Sequence, residues 1–129
     1  MPVTKIELSK KWDSLDKELL ANFVHETMVE VLKIPEYDRL IRITEYDENS
    51  FYCPKNGSDN YVLIEISMFP GRSLEVKREL YKKLCNGMAK FGVSIEDTRV
   101  VLHEVPMDNW GIRGGQAGSD VVLGFDTNV

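Results

Sequence analysis

At 129 residues the chain has the length of one domain with one core. A net charge of −5, with acids and bases interspersed, argues against a phosphate-binding surface and so against nucleic acid as a partner. No run approaches the ~18 apolar residues of a membrane span, Lys5 and Glu7 stand where a secretory signal needs apolar residues, and Cys53 and Cys85 are the only cysteines. The expectation is a cytoplasmic protein with no membrane contact and no disulfide framework.

In chain order, Pro2 leads into a β-type run, Val3 to Leu8; the first position of a strand tolerates proline. Ser14 is a suitable N-cap for a helix. Leu15, Leu19, Leu20, Phe23, Val24, Thr27, Met28, Val31 and Leu32 recur at helical spacing, and Pro35 stops the run. A second strand is predicted from Arg39 to Glu45. Lys55 to Asn60 forms a polar joint, followed by a strand from Tyr61 to Met68. A second helix starts at Ser73, with Leu80, Leu84, Met88 and Phe91 in one stripe and Gly92 as its C-terminal glycine. Thr98 to Val105 is the fourth strand. After Pro106 come Trp110, a glycine-rich stretch from Gly111 to Gly118, and a last apolar run from Val121 to Phe125. That run is expected to form a strand or hairpin docked on this subunit or a neighbour.

The chain repeats itself. Ile6-Glu7-Leu8-Ser9 matches Ile64-Glu65-Ile66-Ser67 at an offset of 58, and Ser14-Leu15 matches Ser73-Leu74 at 59. Pro35 to Glu45 aligns with Ser94 to Glu104 at 59, bringing Asp38 onto Asp97 and Glu45 onto Glu104. Three matches in order at nearly one offset imply a duplicated unit. Each unit reads strand, helix, strand, which demands a parallel pair with a right-handed crossover. The fold class is therefore α/β (α+β). Residues 1–129 are read as a single domain: repeat one about 2–46, repeat two about 61–105, tail 106–129. Two helices with one apolar face each must cover a four-stranded mixed sheet.

Conventional catalytic motifs are missing. The tail glycines lack the Gly-Lys-Ser/Thr and the strand–helix context of a phosphate loop. His25 and His103 have no Cys or His at metal-ligand spacing, so no metal site is expected. Cys85 lies on an apolar helix face, and no serine sits in a nucleophile elbow.

Pro2 offers different chemistry. Initiator Met is commonly removed before a small residue, which would free a secondary amine. An α-amino group titrates near pH 8, and desolvation or a nearby cation lowers that value. A neutral amine at pH 7 is a general base. An N-terminal proline opening a duplicated strand-helix-strand unit resembles the tautomerase superfamily, which includes 4-oxalocrotonate tautomerase, macrophage migration inhibitory factor and malonate semialdehyde decarboxylase. Three further stretches carry the resemblance: Pro35-Glu36-Tyr37-Asp38-Arg39, similar to the decarboxylase branch; Phe69-Pro70-Gly71-Arg72-Ser73, similar to the family's Gly-Arg-Ser step into the second helix; and Asp108-Asn109-Trp110-Gly111-Ile112-Arg113-Gly114, similar to its aromatic-plus-glycine tail. The chain departs from the decarboxylase at Phe69, where that enzyme carries an additional arginine.

The resemblance implies a homotrimer, a small-molecule carboxylate substrate, and no metal or organic cofactor. It implies Pro2 as the base, Asp38 as a group that positions water or tunes the amine, and Arg72 as the carboxylate anchor beside a helix N-terminus. Trp110 and Ile112 would wall the pocket, with Arg113 as a second anion contact. The implied activity is tautomerisation of 2-keto or 2-hydroxy-dienoate acids. Decarboxylation or hydration of a 3-oxo acid is the alternative, and a non-catalytic binding protein is the rival class.

Overall fold

The computed structural model describes residues 2–55 and 59–129; Met1 and the middle of the predicted polar joint lie outside the described residues. The order is β1 (Val3–Leu8), α1 (Ser14–Leu32), β2 (Ile41–Glu45), β3 (Val62–Met68), α2 (Leu74–Gly87), β4 (Thr98–Glu104), β5 (Gly111–Ile112) and β6 (Gln116–Ala117). Strands β2-β1-β3-β4 form one mixed sheet. The β1/β2 and β3/β4 pairs are parallel, and the two halves meet antiparallel along β1 and β3. The duplication has a direct geometric expression: Ile6 and Ile64, equivalent in the two repeats, are cross-strand partners at the centre of the sheet. The halves are thus related by a local twofold axis running through that pair.

Strand alternation decides which face is covered. Thr4, Ile6 and Leu8 of β1 and Val62, Ile64, Ile66 and Met68 of β3 point at the helices and are buried. They pack against Leu20, Val24, Met28, Val31 and Leu32 of α1 and Leu80 and Leu84 of α2. Leu19, read from sequence as part of the α1 stripe, is 50% exposed. The stripe is centred on Leu20, and its neighbour lies about 100° around the helix. The opposite face of the sheet carries no helix. It presents Lys5, Glu7, Arg42, Glu65, Arg99 and His103, with Lys5 paired to Glu7 and His103 to Glu65.

Local chemistry sets the helix ends. Asp13, not Ser14, caps α1, accepting from the Asp16 amide. Helix α1 ends before Pro35, at Lys33, which adopts the left-handed conformation at φ 59°. Ser73 caps α2 as expected, its hydroxyl accepting from the Val76 amide. After α2 a 3₁₀ turn over Met88–Phe91 ends on left-handed Gly92. At Gly87 the helices touch: a Cβ there would lie 2.1 Å from the Phe23 ring, so only glycine admits that ring.

The tail differs from expectation. Its hairpin is formed by β5 and β6, ahead of Val121 to Phe125, which form no strand. The apolar run contributes Phe125 to the core rim and otherwise runs irregularly over the surface of its own chain. A hairpin needs a turn that admits positive φ, and Gly114 and Gly115, at φ 80° and 102°, supply it between β5 and β6.

Candidate active site

The topology brings the starts of β1 and β2 and the ends of β3 and β4 to one end of the sheet. Pro2 is buried there, immediately before β1. The Thr4 amide donates to the Leu40 carbonyl at 3.0 Å. Pro2 precedes the donor by two residues and Asp38 precedes the acceptor by two, so one backbone hydrogen bond sets both at the same sheet end. Asp38 is half-buried in a tight turn in which its amide donates to the Pro35 carbonyl at 3.1 Å.

Arg72 reaches this end from β3. The Met68 carbonyl accepts from the Val105 amide at 2.9 Å, closing the end of the β3/β4 ladder, and four residues later stands Arg72. Its side chain is 6% exposed and donates through Nη2 to the Leu32 carbonyl at 2.8 Å. Leu32 is the last residue of α1, so the guanidinium satisfies one of the orphan carbonyls of that helix. Its Nε is buried and has no hydrogen-bond partner among the described residues. Burial pushes the guanidinium below the ordinary arginine value, while the charges of Asp126 and Glu104 pull it back up. Glu104 is itself bound to Lys77 at 2.7 Å.

The tail adds a strap that sequence reasoning missed. The Ser73 amide donates to the Val129 carbonyl at 3.2 Å, and Thr127 is buried. A Cβ on Gly71 would stand 2.6 Å from the Thr127 carbonyl oxygen, and Gly71 itself sits at φ +133°. The segment Asp126 to Val129 therefore lies directly over the Gly-Arg-Ser step. Nothing in its composition, which is polar and aperiodic, marks that contact. Glu104 had a faint signal, its alignment with Glu45 in the repeat; in the structure the two make equivalent ion pairs, Lys17 with Glu45 at 2.8 Å and Lys77 with Glu104.

Trp110 stands at the same end. Its ring meets Phe69 edge-on at 5.1 Å between centroids, and its Nε1 donates to the Val105 carbonyl at 3.0 Å. Phe69, the residue replacing the decarboxylase arginine, is fully buried and apolar. Ile112 lies in β5, half-buried. Arg113, exposed at the hairpin turn, donates through Nη1 to the Val122 carbonyl at 3.0 Å, so within this chain it ties tail to tail. Among the described residues, no group of three or more His, Cys, Asp and Glu could hold a metal ion, and no helix is long and apolar enough to cross a membrane.

A four-stranded mixed sheet of two β-α-β halves, with a buried proline at the entry of the central strand, defines a tautomerase-like architecture. Comparison with known proteins agrees: a family model described as "Tautomerase enzyme" matches residues 38–113, and the chain belongs to that family. The probable tautomerase YusQ of Bacillus subtilis (strain 168) is 24% identical over 123 residues, spanning 91% of this chain and 97% of that protein. The solved structure of a malonate semialdehyde decarboxylase, described with decarboxylase and hydratase activities, superposes with a TM-score of 0.81 at 25% identity, covering 93% of this chain and 99% of the other. A fused 4-OT solved as a symmetric trimer gives 0.80 at 20% identity, covering 91% and 96%.

Proposed function

We propose that the protein is a tautomerase in which the amine of Pro2, freed by loss of Met1, is the general base for a small 2-keto or 2-hydroxy-dienoate acid. This reading is supported by the position of Pro2, Asp38 and Arg72 at the same sheet end in a chain of the tautomerase family. In the forward step the neutral amine takes the enol proton, the electron pair moves through the conjugated system, and the amine returns a proton to carbon. Arg72 holds the substrate carboxylate; its buried, unpartnered Nε–H is a donor that a carboxylate would complete. Such a donor, fixed before the reaction, stabilises charge on the enolate without reorganisation. Trp110 walls the site beside Phe69.

A second reading is decarboxylation or hydration of a 3-oxo acid such as malonate semialdehyde. It is favoured by the likeness to the decarboxylase and by Asp38, whose carboxylate near the amine favours the cationic form. A binding protein without catalysis is the remaining reading. The uncovered sheet face and the two edge strands, β2 and β4, support assembly into a homotrimer, as in the fused 4-OT. Light scattering at low micromolar concentration should then return three chains' mass.

The deciding experiment compares enzyme with Met1 removed and a form with Met1 retained, using ketonisation of enol-phenylpyruvate. The processed form should turn over and the blocked form should not. Equal rates would leave Pro2 as an ordinary first residue and favour the binding reading.

A further inference from the structure

Outside the site, one buried polar side chain has no part in the core. His25, in the middle of α1, is 6% exposed. Its Nε2 lies 2.7 Å from the carbonyl oxygen of Glu36. A carbonyl only accepts, so the proton is on Nε2 and the ring in its neutral form carries its lone pair on Nδ1. Nδ1 is buried without a hydrogen-bond partner among the described residues. Half of the ring's polar capacity is thus left unmet, a standing penalty for a buried group. Packing does not require it, since an apolar ring would fill the space. What an apolar ring cannot do is donate to Glu36.

Glu36 leads directly into the turn that carries Asp38, and this gives the contact its weight. The connection from α1 to β2 is tied at three points. Arg72 holds its head at the Leu32 carbonyl, the Thr4 amide holds its end at Leu40, and His25 holds its middle. Asp38 sits in the short turn between the last two ties, locked by its amide to Pro35. A turn so closed cannot absorb movement at Glu36; it passes that movement to Asp38. An open cavity of about 360 Å³ flanks this connection, lined by His25, Glu26, Val29, Glu30, Glu36 and Arg39.

We infer that His25 is a positioning residue, whose Nε2–H sets the carboxylate of Asp38 relative to the Pro2 amine. This rests on the reading of Asp38 as the group that tunes that amine. The charged residues that line the cavity with His25 are Glu26 and Glu30 of α1 itself and Glu36 and Arg39 of the connection. They are unchanged in every variant below.

The test titrates the Pro2 amine directly by ¹⁵N NMR in processed protein, a readout independent of turnover. Asp38→Asn should lower the amine pKa. His25→Phe, which fills the space without a donor, should lower it in the same direction by about half a pH unit or more, the scale of moving one nearby charge. His25→Gln, which keeps a donor, should restore most of the wild-type value, and His25→Phe should add nothing in the Asp38→Asn background. A shift with Asp38→Asn and none with His25→Phe overturns the inference alone. No shift with Asp38→Asn removes the reading of Asp38, and the inference with it. Wild-type protein gives a check free of folding defects: the ¹⁵N shifts of His25 should report the Nε2–H tautomer, and the Nδ1–H tautomer would sink the proposal.

Discussion

Arg72 donates to the carbonyl of Leu32 across 2.8 Å, linking the approach to one helix with the end of the other. The residue proposed to hold a substrate carboxylate is therefore also a structural tie between the two repeats. Arg72→Ala should consequently cost more than activity. Losing a charged donor to a buried carbonyl destabilises by about 2 kcal/mol, and turnover of a carboxylate substrate should fall about 10²-fold or more. Urea denaturation and kcat/KM measured on the same preparation check both halves. Full stability with lost turnover would show that the Leu32 contact is incidental.

The pH dependence of kcat/KM separates the two chemistries. If neutral Pro2 is the base, the rate on enol-phenylpyruvate should rise with pH through the amine pKa. A decarboxylase that uses the protonated amine to polarise a carbonyl should lose rate through the same range. Both substrates assayed over one pH series give opposite limbs or a single winner.

Gly71→Ala should unseat the tail. The added Cβ would stand against the Thr127 carbonyl, and φ +133° is costly for alanine. The expected loss is about 1–3 kcal/mol, with faster proteolysis after Val121. A variant as stable and as protease-resistant as the parent would contradict the docking of Asp126 to Val129.

Acid stability should depend on Glu45. Its side chain accepts from Lys17 and from the Trp12 amide, which together hold its pKa below the ordinary 4.5. A carboxyl depressed on folding stabilises the native state above its unfolded pKa, and the contribution disappears as pH falls through the folded value. Glu45→Gln should therefore lower Tm at pH 7 and converge with the parent as pH falls from there through the depressed folded-state pKa. A constant difference across that range would assign the effect to packing.

The two cysteines should differ in thiol reactivity. Burial pushes the Cys85 thiol up, and its Sγ lies 3.7 Å from the Thr98 carbonyl. Cys53 lies instead in the irregular loop after β2. At pH 8 a disulfide reagent should label Cys53 faster than Cys85, read by peptide mass; equal rates would show that the raised Cys85 thiol does not govern access.

The strands and helices were largely legible because each repeat states its pattern locally. Val3–Leu8 matches its predicted bounds, and Ser73 caps α2 as its position promised. What escaped depends on tertiary geometry. Leu19 belongs to the helical spacing yet faces solvent, because spacing gives a stripe and not its edge. The apolar letters of Val121 to Phe125 resemble a strand, but the hairpin forms earlier, around Gly114 and Gly115, and the run itself pairs with no strand among the described residues. At the candidate site, Pro2, Asp38 and Arg72 were proposed from resemblance to the family, and the topology brings all three to one sheet end. The burial of Arg72, the strap over it and the His25 contact were not legible, because all three are made with backbone carbonyls, and a carbonyl acceptor leaves no mark in the residue it belongs to.

The twofold through Ile6 and Ile64 has a stoichiometric consequence. It maps the entry of β1 onto the entry of β3, where the Tyr61 amide donates to the Ser9 hydroxyl at 2.7 Å. That nitrogen is part of a peptide bond, its lone pair is delocalised, and it can never act as a base. With Pro2 as the proposed base, a chain made by joining two such units carries one such nitrogen for every two copies of the scaffold, whereas unjoined units would carry one each. In the proposed mechanism the second copy lends Arg72 to the first copy's sheet end, while its own entry nitrogen is closed to base chemistry.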